Sequence, residues 1–136
     1  MMLGFILAIA MQAAPAPSVQ ILSREMISQV EDPKQAVARS AAEFAALWKQ
    51  HGGAAPMPRV DFESRMVVAV FLGTRTSAGF SAEIIRTRQA DGKLIVEWQE
   101  RKPARDEVAA QIITSPAIIV SIPRFAGEVT FAKVEK

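Results

Sequence analysis

The sequence predicts a β-rich α+β domain, with about six to seven mostly antiparallel strands in a sheet or sandwich and one main amphipathic helix over residues 41–50. Residues 66–72, MVVAVFL, form an unbroken apolar run that stops at Gly73, as expected of a central strand buried on both faces. Two alternating segments flank Asp91-Gly92, which is the signal of a β-hairpin. Phe44, Leu47 and Trp48 recur at helical spacing, so one helix should pack on the sheet.

Composition narrows the class of protein. Of 136 residues, 50% are apolar and 22% are charged, which fits a single globular domain. The absence of cysteine excludes disulfides, thiolate metal sites and cysteine nucleophiles. The net charge is only +2 and like charges do not cluster, so we expect no nucleic-acid partner. With a single histidine and no DxDxDG loop, we also expect no metal site and no cofactor.

The first seventeen residues, MMLGFILAIAMQAAPAP, carry no charge. A short apolar segment followed by small residues and prolines predicts a signal peptide and linker over 1–17, with one domain over 18–136. A-x-A cleavage patterns occur at 8–10 and 14–16. The expected location is therefore periplasmic or secreted, in a bacterium, without stable membrane insertion after cleavage. An uncleaved anchor or an apolar N-terminal strand is the alternative.

Two interpretations are open for the segment before the central strand. Alternation over 19–24 predicts a first strand, with a bent continuation to 29. Asp32 as N-cap with Pro33 at the first helical position would start a helix over 33–51. The capping box Ser40-Ala41-Ala42-Glu43 instead starts the helix at 41 and leaves a short strand over 35–39. We favour the second interpretation. His51 would then pack on the apolar face and satisfy the last helical carbonyls, before Gly52-Gly53 ends the helix.

After the central strand, alternation predicts strands over 80–88 and 93–101 joined by a turn over 89–92. Leu94, Val96 and Trp98 should point inward, with Glu97 outward. A charged loop over 102–106, a short strand over 109–113, a strand over 117–122 and a last strand over 128–134 follow. The predicted core gathers the large apolar side chains of the helix, the central strand and the hairpin: Phe44, Leu47, Trp48, Val68, Val70 and Trp98.

The sequence contains no convincing catalytic constellation, and we expect a protein that is not an enzyme. Asp61 and Glu63 would share one face if they lay on a strand, an arrangement that paired-carboxylate catalysis uses. The ordinary alternative is a turn in which Asp61 accepts hydrogen bonds and Glu63 is solvated. The polar loop between Gly73 and Gly79 ends in no GK[ST] motif and precedes no helix, so it is not a phosphate-binding loop.

Several stretches occur in a characteristic order. They are AAEFAALW at 41–48, VDF at 60–62, residues 66–72 followed by GTR, TSAGF at 76–80 leading into SAEI, and TSP at 114–116 before a strand that ends at Ile122-Pro123. Together they resemble the PrcB C-terminal domain family over about residues 34–134, a module named for a non-catalytic subunit of a bacterial surface protease complex. The family typically has Thr-Gly-Gly-Tyr where this chain has Ser77-Ala78-Gly79-Phe80.

The resemblance implies an exported, non-catalytic module that associates with or stabilises another protein, for example a protease. We assign partner binding to the polar loop, with the 102–106 and 114–116 loops included if they lie at the same end. The candidate residues are Thr74, Arg75, Thr76, Ser77, Gly79 and Phe80. The loop is also similar to that of chagasin-like cysteine-protease inhibitors, although it lacks their Asn-Pro. A loop-inserting protease inhibitor is therefore the alternative function. The sequence does not predict the oligomeric state.

Overall fold

A computed structural model describes residues 18–53 and 55–135. Residues 1–17, where we expect the signal peptide and linker, lie outside this part. The described residues form seven strands and one helix, which confirms a β-rich α+β fold. The elements are β1 (Gln20–Glu25), β2 (Lys34–Ala38), α1 (Ala41–His51), β3 (Arg65–Phe71), β4 (Ser81–Ala90), β5 (Lys93–Arg101), β6 (Ala117–Pro123) and β7 (Val129–Lys133).

The strands form two sheets that pack face to face. The first has the order β1-β6-β3-β2 and is antiparallel throughout, while the second has the order β4-β5-β7. β4 and β5 form the antiparallel hairpin, and its turn is only Asp91-Gly92, both with positive φ. β7 pairs with β5 in parallel, a pairing that the sequence did not specify.

β3 is the central strand, as its apolar run predicts. Every residue from 66 to 72 is at most 2% exposed. Val68 and Val70 face the second sheet, in a core that includes Val96 and Trp98. The intervening residues of β3 face α1, where Phe44 and Leu47 are buried. The strand is thus covered by a sheet on one side and a helix on the other, which explains why its sequence does not alternate.

Within the segment 33–39, residues 34–38 form the strand β2, and the helix begins at 41 as the capping box predicts. β2 pairs with β3 from Lys34 to Ala38. Ser40 is the N-cap, and its hydroxyl accepts a hydrogen bond from the Glu43 N–H at 3.2 Å. Gly52 ends the helix in the left-handed region, with φ +69°. Strand pairing with the buried β3 therefore prevails over the helix-start signal of Asp32-Pro33.

One local prediction is wrong, and two side chains differ from expectation in how far they are buried. Residues 109–113 form no strand, because this segment meets its neighbours through single hydrogen bonds instead of a ladder. Glu97 lies on the outer face of β5 but is only 8% exposed, since a bulge near Ile85 places Arg86 and Arg88 over it. Each arginine Nε lies 2.7 Å from one Glu97 carboxylate oxygen. Trp48 is half-buried at the margin of the helix-side core, and the other predicted core residues are buried.

His51 is 1% exposed, and among the described residues its ring contacts two serine hydroxyls instead of the last helical carbonyls that we expected. Its Nδ1 lies 2.8 Å from Ser28 Oγ, and its Nε2 lies 3.3 Å from Ser23 Oγ. Burial lowers the pKa of His51 below its ordinary value of 6.5, and the nearby Glu25 carboxylate opposes this only in part. The unfolded chain therefore binds a proton more readily than the folded one near this pH.

We expect the free energy of unfolding to be highest above about pH 6.5 and to fall as the pH is lowered below it, because His51 protonates more readily in the unfolded chain. Urea denaturation between pH 7.5 and pH 5 measures the slope. A His51→Gln variant should lose stability at neutral pH and show a weaker slope in this range. An unchanged slope in that variant would contradict the assignment.

Candidate functional site

The loop after β3 is held to the 31–33 turn at its start. Gly73 has φ +81°, and a Cβ there would lie 2.8 Å from Pro33 Cδ, so glycine is required both for the backbone angle and for the close approach. The Thr74 N–H donates to the Glu31 carbonyl at 3.0 Å. The sharp change of direction after the buried strand is therefore fixed by the preceding turn.

The middle of the loop is held by the chain before β6. Arg75 and Thr114 exchange two backbone hydrogen bonds, at 2.8 and 2.9 Å. The Thr114 hydroxyl, which is buried, donates to the Ser77 carbonyl at 2.9 Å. The Ala78 N–H donates to the Ala110 carbonyl at 2.9 Å. Because hydrogen bonds hold the loop on both sides, it is presented as a fixed shape.

A third segment joins this end of the molecule. The Ser115 N–H donates to the Met26 carbonyl, and the Ser28 N–H donates to the Ser115 carbonyl. We call the three joined segments 26–28, 73–79 and 110–115 the tip. The 102–106 loop lies beside it, because a Cβ on Gly79 would come within 2.9 Å of Pro103 Cγ. The loops that the sequence singles out therefore do lie at one end.

Arg75 connects the tip to the second sheet. Its Nε and Nη2 donate to the two carboxylate oxygens of Glu100 at 3.1 and 2.9 Å, and its Nη1 donates to the Leu72 and Thr74 carbonyls at 3.0 Å. The guanidinium also lies 5.8 Å from the centre of the Phe80 ring. Arg75 thus fixes the base of the loop, whereas the sequence alone suggested a side chain that projects toward a partner.

Glu100 is the buried member of this ion pair. Its side chain is 5% exposed against 26% for Arg75. The Arg75 hydrogen bonds lower the pKa of Glu100 against the opposing effect of burial, and they raise the pKa of Arg75. Lys133 Nζ lies 3.6 Å from the same carboxylate. Glu100 therefore stays ionised at neutral pH and anchors two cations.

The candidate loop residues separate by exposure. Thr74, Thr76 and Gly79 are exposed, Arg75 and Phe80 are half-buried, and Ser77 is buried. Sequence reasoning missed the apolar side chains that the tip and its adjoining loop expose: Met26 (45%), Ile27 (59%), Val108 (99%), Ile112 (42%) and Ile113 (67%). The sequence predicts a strand over 109–113, in which one of Ile112 and Ile113 would be buried. Apolar groups at this density beside a rigid loop are typical of protein-binding surfaces.

Asp61 and Glu63 do not lie on a strand. Asp61 Oδ1 accepts a hydrogen bond from the Glu63 N–H at 3.1 Å, and Oδ2 accepts one from the Ser64 hydroxyl at 3.0 Å. Both residues therefore belong to a turn that leads into β3, as the ordinary alternative expects.

Within residues 18–53 and 55–135, no group of three or more acidic or histidine side chains is placed to hold a metal ion. Over the same residues, no helix has the length and apolar character needed to span a bilayer.

Two cavities lie near the tip. One, of about 610 Å³, is bordered by the outer ends of β5 and β7 and by the 102–107 loop. The other, of about 330 Å³, lies where the edge strands β2 and β7 of the two sheets approach each other. Glu100 and Lys133 line both cavities, and Arg75 lines the smaller one. The ion pair that holds the tip loop is therefore also part of a cavity wall.

Comparison with known proteins finds one similarity, in the middle of the chain. The family model described as PrcB C-terminal matches residues 66–123. No curated protein and no solved structure gives a significant match. The matched segment runs from β3 through β6 and includes the tip loop, and it is the central part of the range over which the sequence resembles that family. The match over residues 66–123 supports the resemblance to the PrcB C-terminal family that the motifs predict.

Proposed function

We propose that this protein is an exported, non-catalytic module that binds another protein through the tip, with a subunit of a protease complex as the partner. The family match supports an association with proteases. The composition of residues 1–17 supports export. Of the two carboxylates that offered an enzymatic alternative, Asp61 accepts hydrogen bonds within a turn.

The observation that carries the proposal is the tip itself. Backbone hydrogen bonds join its three segments, so little conformational freedom is lost when a partner binds. Its outer surface combines the exposed hydroxyl residues Thr74 and Thr76 with the exposed apolar residues Ile27 and Ile113. Apolar anchors with a polar rim are the usual composition of a protein interface.

Binding can be tested with a charge placed on the tip. We expect Ile113→Asp to reduce capture of the partner about tenfold or more, because a buried apolar contact would be replaced by an unpaired charge. The bait is the domain from residue 18 onward, and the readout is quantitative mass spectrometry of proteins captured from an extract of the native host.

Ile85→Asp is the matched control, because Ile85 is 45% exposed but lies on β4 away from the tip. Capture should be unchanged in this variant, and both variants should melt within a few degrees of the original protein. Equal capture by both variants would remove the tip from the proposal. Equal loss in both would point to non-specific hydrophobic binding.

A second candidate function is protease inhibition by insertion of the tip loop into an active-site cleft. The hydrogen bonds on both sides of the loop favour it, since a held loop can occupy a cleft without rearranging. Purified protein would then reduce the activity of its protease in proportion to the dose, and Thr76→Arg at the exposed apex would relieve the inhibition. A stabilising subunit would leave the rate unchanged and extend the lifetime of the protease.

A further inference from the structure

Trp98, which lines the smaller cavity, carries a buried donor that lacks an acceptor in the described part of the chain. Trp98 lines this cavity and is 8% exposed, yet its indole Nε1–H has no hydrogen-bond partner within the described part of the chain. A buried N–H that gives up water without gaining an acceptor is costly, and such groups are rare in folded proteins. An acceptor from outside the chain would remove this cost.

The charges on the cavity wall favour an anion. Lys34, Arg75 and Lys133 line it together with a single acid, Glu100, so the lining carries three positive charges against one negative. Arg75 donates to both oxygens of Glu100, and Lys133 Nζ lies 3.6 Å from one of them. Lys133 Nζ lies 5.5 Å from the centre of the Trp98 ring. Lys34 Nζ, on the opposite wall, donates to Gln50 and has two further donors.

The shape and the remaining walls indicate the kind of anion. A volume of about 330 Å³ is roughly ten times the share of one water molecule in the liquid, about 30 Å³. Pro33, Phe71 and Leu72 supply an apolar part of the lining. The single arginine is already committed to Glu100, so there is no vacant bidentate clamp of the kind that recognises phosphate. A small organic anion with an apolar body fits this lining better than an inorganic one.

We propose that this cavity binds a carboxylate, whose oxygens accept a hydrogen bond from the Trp98 indole N–H and lie between Lys34 and Lys133. The site is distinct from the apolar surface of the tip, and it does not depend on the identity of the protein partner. The carboxylate can come from a chain terminus or from an acidic side chain, since both present the same group.

The indole N–H resonance reports directly on the site. The chain has only two tryptophans, so a ¹H–¹⁵N spectrum of the ¹⁵N-labelled protein shows two indole signals, which a Trp48→Phe variant assigns. Sodium acetate is titrated against sodium chloride at constant ionic strength. We expect the Trp98 signal to shift and saturate with acetate, while the Trp48 signal, on the other face of β3, stays in place.

Charge variants and alternative probes complete the test. Lys34→Gln and Lys133→Gln should each weaken acetate binding about tenfold, since each removes a charge-assisted hydrogen bond. Lys49→Gln, an exposed lysine of α1, is the control and should have no effect. N-acetylalanine and N-acetyl-aspartyl amide then distinguish a terminal from a side-chain carboxylate. An unmoved Trp98 signal, equal shifts of both indoles, unchanged affinity in the two lysine variants, or a response to phosphate without one to acetate would each overturn the proposal.

Discussion

Replacing Arg75 by alanine should lower the free energy of unfolding by about 2–4 kcal/mol, because it leaves the buried Glu100 carboxylate without its main partner. The two side chains share two hydrogen bonds, and the guanidinium also bonds two carbonyls at the base of the tip loop. Lys133 remains near Glu100 at 3.6 Å and compensates in part, which sets the expected loss below that of a fully buried pair. Urea denaturation measures this loss in the free energy of unfolding.

The pH dependence of the stability loss in Arg75→Ala distinguishes the contribution of the ion pair from that of side-chain packing. The pKa of Glu100 is lowered in the folded protein from its ordinary value of 4.5, so the pair stabilises the fold fully above about pH 4.5 and loses this effect as the pH falls through the folded pKa. Arg75→Ala should therefore cost less stability near pH 3 than at pH 7. Arg86→Ala, which removes a more exposed guanidinium from Glu97, is the control and should cost less at pH 7. A loss that is equal at both pH values would contradict the ion-pair account.

Truncating Phe44 to alanine should cost about 3–5 kcal/mol, as large-to-small changes in a packed core do. Phe44 is 1% exposed and packs against the side of β3 that faces away from the second sheet. It also contacts Phe62 and Trp48 with ring centres about 6 Å apart. The truncation therefore leaves a cavity between helix and strand, measurable by thermal and urea denaturation.

Two further variants serve as controls for the stability loss expected of Phe44→Ala. Phe44→Leu keeps most of the volume and should cost less than about 1.5 kcal/mol. Ile85→Ala removes apolar atoms from a half-exposed position on β4 and should change stability by about 0.5 kcal/mol or less. If Phe44→Ala were as mild as Ile85→Ala, α1 would not cover β3, and the reason given for the unbroken apolar run of that strand would be wrong.

The elements that the sequence predicts well are those with a local signal. The run over 66–72 has no polar position, and only burial on both faces accommodates it. The capping box at 40–43 places the helix start correctly, although Asp32-Pro33 offers a competing one. Asp91-Gly92 places the hairpin because both residues need a positive φ. In each case the physical cause lies within a few residues of the element.

The features that the sequence does not predict depend on distant residues. Arg75 and Glu100 are 25 positions apart, and no spacing rule links a loop arginine to a glutamate two strands later. The parallel pairing of β7 with β5 depends on how the chain returns from the first sheet. Ile112 and Ile113 have the composition of a strand, yet this segment meets other loops instead of a strand edge. The surface of the tip therefore cannot be predicted from the spacing of residues in the sequence.

The central claim is that the tip contacts a protein partner, and site-specific photo-crosslinking tests it most directly. A photoreactive residue replaces Thr76, which is exposed at the apex of the loop, or Asp91, which is exposed in the turn at the far end of β4. Both proteins are expressed in the native host and irradiated in intact cells. We expect a discrete crosslink to a protease-complex subunit from position 76, lost in the Ile113→Asp background, and none from position 91. A crosslink from position 91 alone, or equal crosslinks from both positions, would contradict it.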